Sequence, residues 1–207
     1  MEYFEYRGVE GLVIAEVLED TAEKYETGTV EELLPVAEIG KTTESSSEAH
    51  YYDNQPMIVI NSEGPDEVTI TGAGMLLETK AKILGKTFDP QTGAFIDGPR
   101  QTRYFAMGYK TKDSDGKHRY VWRYKGTFSI PDDNHATEDD GTDATGTELT
   151  YTGIYTTHKF TKGGYDGTKN VPAPAKGMVV SDREGKADLA TFFDAVTTPD
   201  TLKAKTT

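Results

Sequence analysis

Phe105, Met107 and Tyr109 recur at every second position, and beyond Lys112-Asp113-Ser114-Asp115-Gly116-Lys117 the residues Tyr120, Trp122 and Tyr124 do the same. On a helix these positions would point to different sides. On a strand, where side chains alternate, each trio shares one face. Two strands over residues 103–111 and 118–127, joined by an Asp-Gly tight turn, are therefore predicted to form a β-hairpin whose aromatic side chains suit a half-buried surface. A chain organised around this hairpin must find further strands to pair with it.

Further strands are legible. Residues 9–18 carry Leu12 and Ile14 on one face and Val13, Ala15 and Val17 on the other, so this strand is expected to be covered on both sides. Residues 29–39 are apolar at Val30, Leu33, Val36 and Ile39 but interrupted by Pro35, which suits an edge or a bulge. Residues 56–61 and 66–72 read as two strands joined by a turn at Asn61-Ser62-Glu63-Gly64-Pro65. A last strand is expected over 147–160, around Leu149, Tyr151 and Tyr155. Two segments change period. Residues 74–85 place Leu76, Leu77, Ala81 and Leu84 at helical spacing with Gly85 as the stop, and residues 188–196 place Leu189, Phe192, Phe193 and Val196 on one stripe of a second short helix. Three stretches read as loops: the polar, Ser-rich 41–55, the acidic 131–146, and the Gly- and Pro-rich 163–177. The expected organisation is a β domain over 1–162 and a partly flexible C-terminal extension over 163–207, disordered after Thr197.

Composition sets the outer bounds. A chain of 207 residues suits one domain with a real core. It contains no Cys, which excludes a disulfide scaffold, a Cys-based zinc site and a cysteine nucleophile. The N-terminus lacks the basic and apolar regions of a signal peptide. The longest apolar runs are four residues, at 12–15, 57–60 and 104–107, against the roughly 20 that a membrane helix requires. A soluble protein that stays inside the cell that makes it is expected. The net charge is −13 and uneven: residues 1–67 hold 17 acidic and 3 basic side chains, residues 68–207 hold 18 and 19. Such a surface repels phosphate and argues against sequence-specific nucleic-acid binding.

Catalytic and cofactor motifs fail on inspection. Gly-Lys-Thr at 40–42 and 85–87 lacks the Gly five positions earlier that a phosphate loop needs, since those positions are Pro35 and Lys80. Gly72-Ala73-Gly74 lacks the third dinucleotide-loop glycine, position 77 being Leu. Asp113-Ser114-Asp115-Gly116 has part of a calcium loop, but position 111 is Thr and position 122 is Trp. The acidic stretch with Asp132, Asp133, Glu138, Asp139 and Asp140 reads as a solvated loop. His50, His118, His135 and His158 are scattered, with no i, i+4 pair for zinc. No enzyme, no cofactor and no metal are expected.

Several features fall in a particular order: a polar excursion ending Tyr51-Tyr52-Asp53-Asn54-Gln55-Pro56; Val68-Thr69-Ile70 leading to the helix at 77–84 and Gly85-Lys86-Thr87-Phe88-Asp89; Arg103-Tyr104-Phe105-Ala106-Met107-Gly108-Tyr109; the Asp-Gly turn; and Tyr120-Val121-Trp122-Arg123-Tyr124-Lys125-Gly126. In this order, over about residues 5–160, the chain resembles the major tail (tail tube) protein family of long-tailed, non-contractile bacteriophages. The resemblance implies a mainly-β (α+β) fold: an antiparallel β-sandwich or partial barrel flanked by one α-helix, with loop-rich insertions. It implies a structural virion protein that assembles in the host cytoplasm. Six copies close into rings, and the rings stack into a tail tube that contacts other tail proteins. DNA passes through the lumen without sequence-specific binding, and the acidic N-terminal third suits such a lumen.

With the resemblance in hand, 41–55 reads as an assembly loop reaching a neighbouring subunit or ring, its candidate residues being Lys41, Thr42, Thr43, Glu44, Ser45, Ser46, Ser47, Glu48, Tyr51, Tyr52, Asp53 and Asn54. Two alternatives stay open: the tube subunit of a contractile tail or tail-derived particle, and a β-sandwich carbohydrate- or receptor-binding module using exposed Tyr and Trp.

Overall fold

The computed structural model describes residues 3–131 and 146–206. In chain order the strands are β1 (Tyr6–Asp20), β2 (Tyr25–Thr27), β3 (Glu31–Glu32), β4 (Val36–Tyr52), β5 (Gln55–Gly72), β6 (Thr87–Asp89), β7 (Ala94–Ile96), β8 (Phe105–Asp113), β9 (His118–Phe128), β10 (Thr147–Gly153), β11 (Phe160–Tyr165), β12 (Asn170–Ala173) and β13 (Gly177–Ser181). Among the described residues there is one α-helix, α1 (Leu77–Leu84), between β5 and β6.

Every pairing among these strands is antiparallel. Nine strands make one sheet in the order β2-β1-β8-β9-β10-β5-β4, with β3 added to β1 and β13 to β9. The sheet curls until β1 and β4 become neighbours without hydrogen-bonding to each other. The fold is thus mainly β, one antiparallel multi-strand sheet with a single helix.

The aromatic hairpin is the centre of that sheet. β8 and β9 pair from Phe105 opposite Gly126 to Lys112 opposite His118. Gly116, with φ 84°, closes the turn and donates its N–H to the Asp113 carbonyl at 3.0 Å. The would-be calcium stretch is this turn, and Asp113 is buried against Arg183 (3.3 Å).

The two faces of the hairpin lie in two different cores. Phe105, Met107 and Tyr109 pack with Leu12, Ile14, Val68, Ile70, Leu149 and Tyr151 inside the curled sheet. Trp122 and Tyr124 pack with Ala15, Ala106, Phe160, Phe192 and Val196 on the opposite side. Full burial of side chains this large contributes about 1.5–3 kcal/mol each. Both cores depend on a fork in β9. One edge of β9 pairs with β8; the other pairs with β13 over 119–123 and with β10 over 126–128. β1 has the double coverage read from its sequence, with Leu12 and Ile14 in the first core and Ala15 in the second. Trp122 is fully buried and donates its indole N–H to the Phe192 carbonyl at 3.0 Å, which removes it from any sugar-stacking surface.

Helix α1 forms where its spacing predicts. Gly85 ends it at φ 62°, and a Cβ there would lie 1.8 Å from the Gln101 carbonyl oxygen, so only glycine fits. The inward stripe differs from the expected one. Ala81, Ile83 and Leu84 are buried, whereas Leu76 and Leu77 face outward.

Other expectations are corrected. Residues 41–55 are not a loop, nor is 61–65 a turn: both lie in the continuous β4–β5 hairpin. The period-2 signal vanishes there because both faces are wet, so nothing selects alternation. The 163–177 link is instead the β11–β12 hairpin, where Gly163 comes so close to Ala173 that a Cβ would lie 2.1 Å from its carbonyl oxygen. Residues 188–196 form hydrogen-bonded turns, not a helix: the Phe192 carbonyl accepts from Trp122 and Thr197 side chains instead of an amide of the next turn. The 147–160 strand stops at Gly153, because the amides of Thr157 and His158 turn to the Asp20 carboxylate. The stretch after Thr197 is ordered as a turn tied by Thr198 and Thr201, with Leu202 against the second core. Beyond residue 162, β13 joins the main sheet and Phe192 fills the second core. The acidic-loop reading of 131–146 falls on residues 132–145, outside the described ones.

Candidate assembly interface

The β4–β5 hairpin is the element that stands apart. Its lower half belongs to the sheet. Asp66, Val68, Ile70 and Gly72 alternate inward along β5, and β4 pairs with them from Val36 to Thr43. Above this the register shifts. Thr43 pairs with Asp66 but Ser45 with Glu63, so Gly64 and Pro65 together oppose Glu44. Two residues against one is a β-bulge, which bends a ladder and raises its twist. Gly64 suits the close approach to Glu44, and Pro65 has no N–H to leave unpaired there. The residues that read as a turn are the residues of this bulge.

Beyond the bulge, Ser45–Tyr52 and Gln55–Glu63 continue as a two-stranded arm with no third strand among the described residues. Eight residues at about 3.4 Å each carry the tip roughly 27 Å outward. The tip is a two-residue turn, Asp53 (φ 49°) and Asn54 (φ 61°). Both sit in the left-handed region that this turn requires, and Asp and Asn are the non-glycine residues that tolerate it best. Ser46 and Ser62 face each other across the arm at 2.6 Å.

The arm exposes Met57, Ile58, Val59 and Ile60 by half or more, together with Tyr51 and Tyr52. Half-burying each aliphatic side chain would contribute on the order of 1 kcal/mol. An isolated two-stranded ribbon is marginally stable in water, and a long apolar one with an open edge is an association surface.

A buried polar cluster fixes the root of the arm. The Asp66 side chain is 2% exposed. It accepts from the Thr43 hydroxyl (2.8 Å) and the Arg123 guanidinium (3.1 Å), with Lys176 at 3.4 Å and Lys41 at 3.5 Å. Burial opposes its charge, but the Thr43 hydroxyl and the Arg123, Lys41 and Lys176 charges outweigh that and hold the carboxyl below its ordinary value. Lys176 reaches past the bulge to Glu63 (2.6 Å) and the Gly64 carbonyl, and lies over the Tyr155 ring. β9 and the segment before β13 therefore grip the arm at its bulge.

The twelve sequence-predicted residues divide accordingly. Lys41, Thr42 and Thr43 lie in the root ladder, and two of them serve the Asp66 cluster. Glu44 is at the bulge; Ser45, Ser46, Ser47 and Glu48 form outer rungs; Tyr51 and Tyr52 flank the Asp53-Asn54 turn. The opposite strand, with Met57–Ile60 as its apolar run, was missing from that set. Its signal was present: four consecutive apolar residues paired with a polar segment have no intramolecular face to bury.

Among the described residues no group of three or more His, Asp or Glu is placed to hold a metal ion, and no helix is long and apolar enough to cross a membrane. No protein-family model matches the chain, and the comparison with curated proteins returns no match.

Proposed function

We propose that this chain is a structural subunit of a bacteriophage tail tube, forming rings that stack into the conduit for genome delivery. The observation that carries the reading is the β4–β5 arm, which extends an apolar surface into solvent with no partner strand among the described residues. Such a surface is costly in a monomer and useful in a polymer. The order of sequence features that resembles the tail-tube family supports reading that polymer as a tail tube. The net charge of −13 suits a conduit that lets DNA slide without gripping it.

Concentrating the purified protein and viewing it by negative-stain microscopy tests the proposal. Rings or hollow tubes are expected. Removing residues 46–62 and closing the ladder with an Asn-Gly turn should leave a folded monomer that no longer polymerises. Normal tubes from that deletion, or a wild-type chain that stays monomeric at every concentration, would overturn the reading.

A further inference from the structure

The arm leaves the body through two strands at a bulge, and a bulge is where a ladder bends. Glu44 faces Gly64 and Pro65 together there, so the register breaks between the rungs on either side. Hinges are built from a few such positions, which absorb a change of direction while the flanking segments stay rigid. A swing of about 20° at the bulge would carry a tip roughly 27 Å away through about 9 Å. The ladder alone therefore leaves the direction of the arm loosely set.

Among the described residues, the hydrogen bonds that reach the arm from the body come from Lys176 and Tyr155 and end on Glu63 and Gly64. Lys176 is anchored from behind. Its carbonyl accepts the Tyr124 N–H at 2.9 Å, and the next residue, Gly177, pairs with Arg123, so its backbone is fixed on β9. A Cβ on Gly177 would lie 2.3 Å from the Trp122 carbonyl oxygen, so glycine is what lets this segment come so close. The ammonium then spans the bulge. It donates to Glu63 Oε1 on the arm (2.6 Å) and to the Gly64 carbonyl in the bulge, and lies 3.4 Å from Asp66 Oδ1 below it. The Tyr155 ring faces it at 4.8 Å, and the Tyr155 hydroxyl donates to Glu63 Oε2 at 3.4 Å. Burial opposes the Lys176 charge, but Glu63 and Asp66 outweigh it and hold the ammonium above its ordinary value.

We propose that Lys176 is a strut that sets the angle of the arm, locking at Glu63 a hinge that the bulge would otherwise leave free. Asp66 holds the root of the ladder, and Lys176 aims what lies above it. The inference does not depend on what the arm meets, so it stands or falls apart from the tail-tube reading.

The chain has no Cys, so nitroxide labels go only where cysteines are introduced. Tyr51, beside the tip, and Leu18, on β1, are both well exposed, so Tyr51→Cys combined with Leu18→Cys leaves the fold intact. The label-to-label distance is read by pulsed electron paramagnetic resonance on the full chain, dilute enough to be monomeric. One narrow distribution is expected in this background. Lys176→Met should broaden or shift it by several ångström, as such a swing implies. Glu63→Ala should do so less, because the Gly64 carbonyl stays held, and should leave the urea midpoint of the body unchanged. Should Lys176→Met fail to fold, Glu63→Ala, at a half-exposed side chain, decides alone. Distributions as narrow in the variants as in the background overturn the strut, even where stability falls, because the residue would then be structural only. A background distribution that is already broad also overturns it, since the hinge would not be locked.

Discussion

The two halves of the β4–β5 hairpin share one ladder and differ in everything that surrounds it. Below the bulge, Val68 and Ile70 are fully buried and β10 pairs alongside. Above it, Met57 to Ile60 are exposed by half or more and no third strand is present among the described residues. Backbone pairing is common to both, so it does not account for the difference. Side-chain burial makes the lower half part of the domain, and its absence leaves the upper half to be completed by something else.

The largest effect should come from the buried half. Ile70→Ala should lower stability by about 2–5 kcal/mol, read from urea unfolding of the monomer. If the loss were as small as that of an arm substitution, the contrast between the halves would be false. Next comes the junction. Asp66→Asn leaves the Arg123 and Lys176 charges without their buried partner and should cost about 3 kcal/mol. The same carboxyl gives a pH signature. Its folded value lies below the ordinary one, so its contribution is complete above the unfolded carboxyl value of about 3.9 and is lost as pH falls through the folded value. Wild type should therefore lose stability in that acid window, and Asp66→Asn should flatten the loss. An unchanged acid profile would remove Asp66 as the clamp.

Smaller effects sharpen the comparison. Ile58→Ala should change monomer stability by less than about 0.5 kcal/mol while weakening self-association, as measured by sedimentation. A large monomer penalty would mean that the arm folds back on the domain. Smallest of all, Asn54→Gly should relieve the left-handed turn and stabilise the arm by a few tenths of a kcal/mol, visible as slower amide exchange at the tip alone.

The sequence was legible where burial imposed a period. The β8–β9 hairpin, the doubly covered β1 and the α1–Gly85 stop all follow from spacing, because each has a face that must point inward. The arm has no such face, so its strands read as loop. Gly64-Pro65 read as a turn because the same two residues serve turns and bulges alike. At 188–196 the apolar spacing named the right side chains for the second core and the wrong backbone, since Trp122 and Thr197 take the Phe192 carbonyl that a helix would use. The Asp66 cluster draws on Lys41, Thr43, Arg123 and Lys176, residues up to 135 positions apart (176 − 41), and no local pattern announces it.

The fork in β9 also sets a timetable for synthesis. β9 is complete at Phe128, and the strands that enclose the first core are all made by Gly153. The partner for the other half of its edge ends only at Ser181, and Phe192 and Val196 come later still. The first core is therefore free to close while the chain is still emerging, with the Trp122 side waiting on the last strand. Newly made copies pass through a stage in which one aromatic face is finished and the other is bare. Where identical chains are concentrated, that interval is when a wrong partner is nearest.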